Sequence, residues 1–286
     1  MRSIRPSRAI GPPGLSSYLR PLYYARTDTG RQRDHNEDAV YAGVLSNDER
    51  LPPTYVFAVA DGVGGHERGE WASQTAVQIV ETQLQLHLAD LAPPDALDTA
   101  FRAANATVWE SGSSLQNIQR PATTLVVALV RDGTVWWAHV GDSRAYLVRQ
   151  GRAQRLTQDH SWIEEQVRAG YLTREQAQMS ERRHAITRSI GYDATIQVDT
   201  GGPTPLRSGD VVILCSDGLH DQVTDEEIAG VVQQLLPEAA AERLIGLSNE
   251  RGGPDNISVV LCSMYDASAD ETVHTRRASE AAITLP

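Results

Sequence analysis

Three apolar runs in this chain end directly in an aspartate. YVFAVA (55–60) runs into Asp61-Gly62, WWAHVG into Asp142, and VVILCS (211–216) into Asp217-Gly218, while Asp255 stands just ahead of a further run, ISVVLC (257–262). A single Asp-Gly is ordinarily a turn, but several such residues at the ends of buried strands would meet in one cleft. Carboxylates held a few ångströms apart either take up protons or bind cations. Because no histidine or cysteine falls at these strand ends, the ligand set is all oxygen, which suits Mg²⁺ or Mn²⁺ rather than zinc. Gly62 lets the chain turn sharply after Asp61 and leaves its own carbonyl available as a further ligand. Upstream, RQRDHNEDAV (31–40) gathers Arg33, Glu37 and Asp38. Arg33 offers a fork for a phosphate oxygen, and Glu37 and Asp38 offer two more carboxylates for a metal or its waters.

What the chain lacks narrows the chemistry. All 26 basic residues are arginine, so mechanisms that need a lysine, including phosphate-loop, kinase and Schiff-base chemistry, are excluded. Cys215 and Cys262 lie inside apolar runs, the usual setting of a small buried hydrophobe. A cysteine-based phosphatase needs an arginine six positions after its nucleophile, and that position after Cys215 is Asp221. With 26 basic against 37 acidic residues, the net charge of −11 repels a phosphate backbone, so nucleic acid is not an expected partner. No apolar stretch reaches the ~18 residues of a membrane span. Residues 1–26 lack the apolar segment of a secretory signal, so a cytoplasmic protein is expected, although five arginines and no acid in that stretch would also suit a transit peptide.

The elements that must position these residues are short apolar runs bounded by turn residues: 55–60, 123–130, 134–140, 145–150, 211–216 and 257–262. Asp132-Gly133 predicts a tight hairpin between two of them, since a primed turn needs positive φ. Helices are expected over 70–88, where Ala72, Ala76, Ile79, Val80, Leu84 and Leu88 line one side, and around Leu97, Phe101, Ala104 and Val108. Capping boxes at Thr224/Glu227, Ser161/Glu164 and Thr173/Gln176 predict a helix at 225–236, followed by another at 237–250, and a helix–break–helix unit over 161–184. This order favours an α+β fold, with two antiparallel β-sheets face to face and helices outside. The proline-rich residues 1–22 are expected to be a flexible N-terminal arm, 23–265 the domain, and 266–286 a C-terminal tail.

Taken together, RDHNEDA (33–39), VADGVGGHERGEWAS (59–73), ATTLVVALV (122–130), HVGDSRAYL (139–147), LTQDHSW (156–162), ITRSIG (186–191), CSDGLHDQV (215–223) and GPDNISVV (253–260) resemble the bacterial branch of the PPM or PP2C metal-dependent Ser/Thr protein phosphatases. The resemblance implies a four-layer αββα sandwich and a centre of two bridged Mn²⁺ or Mg²⁺ ions. It makes Asp61 the bridging carboxylate, assigns Asp38 and the Gly62 carbonyl to the first ion and Asp217 and Asp255 to the second, and lets Glu37 act through waters. Asp142 and Asp221 correspond to a third, weaker metal site. The implied activity is hydrolysis of phosphoserine and phosphothreonine in proteins by direct attack of water, with Arg33 binding the phosphate, opposite a cognate Ser/Thr kinase, in a monomer. An inactive phosphoprotein-binding relative is the alternative. One departure concerns the general acid: the histidine that follows Asp-Gly in animal members is Val63 here. His66 and His160 are the nearest motif histidines, with structural hydrogen bonding the plainer role for each. Residues 161–185 resemble the flap beside the cleft of bacterial relatives, where Arg182, Arg183 and Arg188 could assist anion capture.

Overall fold

The computed structural model describes residues 19–45, 53–65, 67–112, 120–182 and 184–267. In chain order the elements are β1 (Leu19–Asp28), β2 (Asp38–Val44), β3 (Tyr55–Val63), α1 (Glu67–His87), α2 (Pro93–Gly112), β4 (Ala122–Thr123), β5 (Leu125–Arg131), β6 (Thr134–Val140), β7 (Arg144–Arg149), β8 (Arg152–Arg155), α3 (Trp162–Arg168), α4 (Arg174–Gln178), β9 (Asp199–Pro205), β10 (Val211–Cys215), α5 (Asp217–His220), α6 (Asp225–Gln234), α7 (Pro237–Glu250) and β11 (Ile257–Asp266).

Every strand pairing is antiparallel. One sheet runs β1-β11-β10-β7-β8, and the other runs β2-β3-β5-β6-β9 with β4 added on β3. The continuous apolar runs follow from burial on both faces, where alternate residues serve two different cores. Along β5, Val126, Ala128 and Val130 point into the layer between the sheets, while Leu125, Val127 and Leu129 pack with Ala76, Leu84, Leu97 and Phe101 of α1 and α2. Along β10, Val212 and Leu214 join the same inner layer, and Val211, Ile213 and Cys215 pack with Ile228, Ala240 and Leu244 of α6 and α7. Four layers result, with helices on both outer faces, as the α+β expectation requires.

Asp132 and Gly133 take φ of 49° and 65°, the left-handed pair that turns β5 back into β6. Thr173 with Gln176 and Thr224 with Glu227 form full capping boxes on α4 and α6, and Ser161 accepts from Glu164 N–H to open α3. The strand β1 begins at Leu19, so it takes in four residues that the proline content places in the arm. As an edge strand it tolerates Pro21, whose missing N–H interrupts no interior ladder. Residues 1–18 of the arm and 268–286 of the tail lie outside the described residues.

Candidate active site

Antiparallel pairing explains why the strand-end aspartates converge. The end of β3 lies beside the start of β2, so that Asp61 is the register partner of Asp38. The end of β10 lies beside the start of β11, with Cys215 opposite Val259, and this sets Asp217 and Asp255 just beyond the same edge of the sandwich. Arg33, Glu37, Asp61, Gly62, Asp142, Asp217 and Asp255 all line one cleft of about 230 Å³, and Asp38 is buried beneath it. Asp221 stands in an adjoining pocket that shares Asp142 and Asp217 with the main cleft.

The electrostatics are those of carboxylates short of positive charge. Burial pushes Asp61 well above the usual carboxylate range, and the charges of Asp38 and Asp217 push the same way. Burial also raises Asp38 to about 7, although hydrogen bonds from Ser258 and Ser216 pull it down. Asp142 and Asp217 are raised too, again chiefly by burial. Asp38 Oδ1 and Asp217 Oδ1 are buried and accept no hydrogen bond. A buried polar atom without a partner is costly, and a divalent cation among these oxygens would satisfy both atoms and reverse the repulsion. The donor set therefore fits Mn²⁺ or Mg²⁺ on the structure's own evidence. Arg33 Nη2 donates to Asp255 Oδ2 at 2.7 Å and remains half-exposed at the cleft mouth.

Several residues inside the quoted motifs, given no role there, position the site. Asn256 clamps the segment that carries Arg33 and Glu37: its Nδ2 donates to Thr29 O and His35 O, each at 2.9 Å, and its Oδ1 accepts from Glu37 N–H at 2.8 Å. Thr124 Oγ1 accepts from Asp61 N–H at 3.0 Å and bonds Ser143 Oγ at 2.7 Å. Ser216 Oγ donates to Asp38 Oδ2 at 2.9 Å. Gly69, in the first turn of α1, leaves room for Glu37, since a Cβ there would lie 1.9 Å from Glu37 Oε2. All four lie inside the quoted segments GPDNISVV, ATTLVVALV, CSDGLHDQV and VADGVGGHERGEWAS, but their partners are fixed only by the fold.

Other expectations fall away from the cleft. Val63 lines it where a histidine would stand in animal relatives. His160 is buried outside it, stacked on His139 with ring centroids 4.5 Å apart. Gly141 N–H donates to His160 Nδ1 at 3.1 Å, so the ring proton sits on Nε2, which faces Asp199 Oδ2 at 3.2 Å. With Nδ1 accepting from Gly141 and Nε2 buried against Asp199, His160 plays the structural part. Arg188 is paired with Asp199 at 2.8 Å, and Arg182 stacks over Trp162, so neither lines the cleft. His66 and Arg183 lie outside the described residues. Burial pushes the Cys215 thiol up to about 12, which keeps it inert.

A buried all-oxygen centre at one edge of an αββα sandwich defines a divalent-cation-binding type of protein. The family model described as Protein phosphatase 2C matches residues 24–257, and the chain belongs to that family. It is 36% identical over 257 residues to the serine/threonine protein phosphatase PstP of Mycobacterium tuberculosis, covering 87% of this chain and 46% of PstP. It therefore spans about half the length of that relative. The serine/threonine phosphatase stp of Listeria innocua is 34% identical over 241 residues, which cover 82% of this chain and 93% of stp. Among solved structures, the catalytic domain of PstP in complex with two manganese ions superposes with a TM-score of 0.73 at 34% identity, covering 87% of this chain and all of that one.

Proposed function

We propose that this chain is a protein serine/threonine phosphatase that hydrolyses phosphoserine and phosphothreonine with two Mn²⁺ or Mg²⁺ ions. The observation that carries the proposal is the meeting of Asp38, Asp61, Asp217 and Asp255 in one place, with two of their buried oxygens lacking any hydrogen bond. Asp61, between the other carboxylates, would bridge the ions, Asp38 and the Gly62 carbonyl would hold the first, and Asp217 and Asp255 the second. Glu37 would orient waters on the first ion, and Asp142 with Asp221 would make a weaker third site. The bound ions would supply Lewis acidity and a water of low pKa as nucleophile. Arg33, anchored by Asp255, stands at the mouth where a phosphate monoester enters, and its guanidinium can neutralise charge on the phosphoryl oxygens. Neither cysteine can serve as a nucleophile, because both are fully buried, and this favours a direct, single-displacement hydrolysis. Asn256 and Thr124 keep the ligands in register.

Such an enzyme needs a Ser/Thr kinase to make its substrate, and we place the two together in the cytoplasm. The charge of −11 argues against nucleic acid, and among the described residues no helix is long and apolar enough to cross a membrane. We take a monomer as the working unit. The flap, residues 161–185, would contact the phosphoprotein substrate.

Phosphate release from a phosphothreonine peptide during Mn²⁺ titration tests the proposal, with a chelator control and the Asp61→Asn and Asp217→Asn variants. Activity should require the metal and fall by about 10³-fold or more in both variants, the scale of losing a transition-state cation. A folded wild type that stays inactive at millimolar Mn²⁺ would leave a phosphoprotein-binding module as the better reading.

A further inference from the structure

We infer that His184, on the flap, is a ligand of the third cation site together with Asp217 and Asp221, and that its nitrogen makes this site select Mn²⁺ over Mg²⁺. The inference rests on the two-cation reading of the main cleft and adds to it a ligand that none of the motif spacings contains.

Ligand atoms of His184, Asp217 and Asp221 lie within 4.8 Å of one another. His184 Nδ1 is 3.5 Å from Asp221 Oδ2, and its ring borders both the main cleft and the adjoining pocket, where Asp142 also stands. Asp217 Oδ1, the buried oxygen already assigned to the main centre, belongs to a side chain that lines this pocket too, so its carboxylate would be shared between the two sites. The His184 side chain is 54% exposed, so nothing packs it away from a small inward movement.

The chemistry of the set differs from that of the main centre. Mg²⁺ keeps to oxygen ligands and gives up its waters reluctantly, whereas imidazole nitrogen suits Mn²⁺ and the later divalent ions increasingly well. A nitrogen in the third site therefore discriminates between cations that the all-oxygen centre accepts alike. The same ligand ties the flap to the cleft. Ala185, next in the chain, accepts from Trp162 N–H at 2.8 Å, and Ser161 pairs with Ile186, so an ion held by His184 fixes both ends of the flap against Asp221.

The test is calorimetric titration of Mn²⁺, and separately of Mg²⁺, into the full chain and its His184→Ala variant, with the histidine side-chain nitrogens followed by NMR as Zn²⁺ is added. In the variant the weakest Mn²⁺ class should lose about tenfold or more in affinity, while the tighter Mn²⁺ classes and the Mg²⁺ isotherm stay unchanged. Zn²⁺ should shift the His184 Nδ1 resonance in the wild type. Identical Mn²⁺ isotherms, equal losses for both metals, or an unmoved His184 resonance would overturn the inference and leave the main centre intact. A wild type with no tight Mn²⁺ class would bring down the two-cation reading first, and this inference with it.

Discussion

Acidic residues at two places in this molecule meet opposite fates. In the cleft, Asp38, Asp61, Asp142 and Asp217 are pushed above the usual carboxylate range, burial first and each other's charge after it. In the network beside it, burial works in the same direction on Asp159, yet Arg144 outweighs burial and holds that carboxyl below the usual range. Arg144 reaches Asp159 with Nε at 3.0 Å and Nη2 at 2.7 Å, a fork-like contact, and Arg188 does similar work for Asp199. Among the described residues lining the cleft, the arginine contact is that of Arg33 with Asp255. Burial is common to both places, and the supply of guanidinium groups separates them. Where arginines are supplied the fold is complete in itself; where they are withheld, the charge balance is left to a cation.

The largest effect that would sharpen this contrast is expected at Arg144. Replacing it by methionine would keep the volume and leave Asp159 buried with only the longer ion pair to Arg155 at 3.5 Å. Stability should fall by about 3 to 5 kcal/mol, measured by urea unfolding at neutral pH. A loss below about 1 kcal/mol, the size typical of an exposed pair, would mean that Asp159 is relieved by other groups and that the contrast is overstated.

A middle-sized effect concerns pH, because the two places respond with opposite sign. Burial depresses His160 to about 4, with the charges of His139 and Arg188 adding to it. Its folded value lies below its unfolded one, so its contribution is present above about pH 6.5 and is lost as pH falls towards 4. The cleft acids have raised folded values, so without cations their penalty grows as pH rises from about 4 to the folded value of about 7 for Asp38. Between pH 7 and pH 5 the wild type should lose roughly 2 kcal/mol of stability relative to His160→Asn. The comparison between variants cancels the cleft, which both carry unchanged. Parallel stability profiles for the two proteins would show that His160 is not held neutral by the fold.

How much of this was legible in advance depends on whether a residue's partner is near in sequence or far. Asp61, Asp142, Asp217 and Asp255 can be read because each adjoins an apolar run, and the run marks the strand that carries it. The hairpin at Asp132-Gly133 and the capping boxes at Thr173 and Thr224 are likewise local, and all three form. The strand β9, DTGGPTP, has no apolar period because it is an edge strand, and Gly201 is small where it faces the Trp137 ring. Asn256 bonds residues more than 200 positions away, and Thr124 bonds Asp61 from 63 positions away; nothing local to either residue marks those roles. His184 belongs to the same class, since Asp221 reaches it only through the fold.

The smallest expected effect carries the opposite sign and tests the other half of the contrast. Asp38→Asn removes a charge that burial disfavours and leaves an oxygen able to accept from Ser216, which donates to Asp38 Oδ2 at 2.9 Å. A folded pKa of about 7 means that ionising Asp38 at pH 8 works against the metal-free fold, and the asparagine avoids that cost. Against this gain, the new amide NH₂ needs an acceptor in the space of Oδ1, which has no hydrogen-bond partner. The balance should leave the metal-free variant about 1 kcal/mol more stable than wild type at pH 8, with the advantage fading towards pH 5. With Mn²⁺ added, the order should reverse, because the wild type alone offers the full ligand set and gains stability in proportion to binding. Thermal melts at the two pH values, with and without Mn²⁺, check both signs. A metal-free Asp38→Asn protein less stable than wild type at pH 8 would mean that the cleft carboxylates are neutralised within the fold, and that the cleft and the arginine network are not the opposites described above.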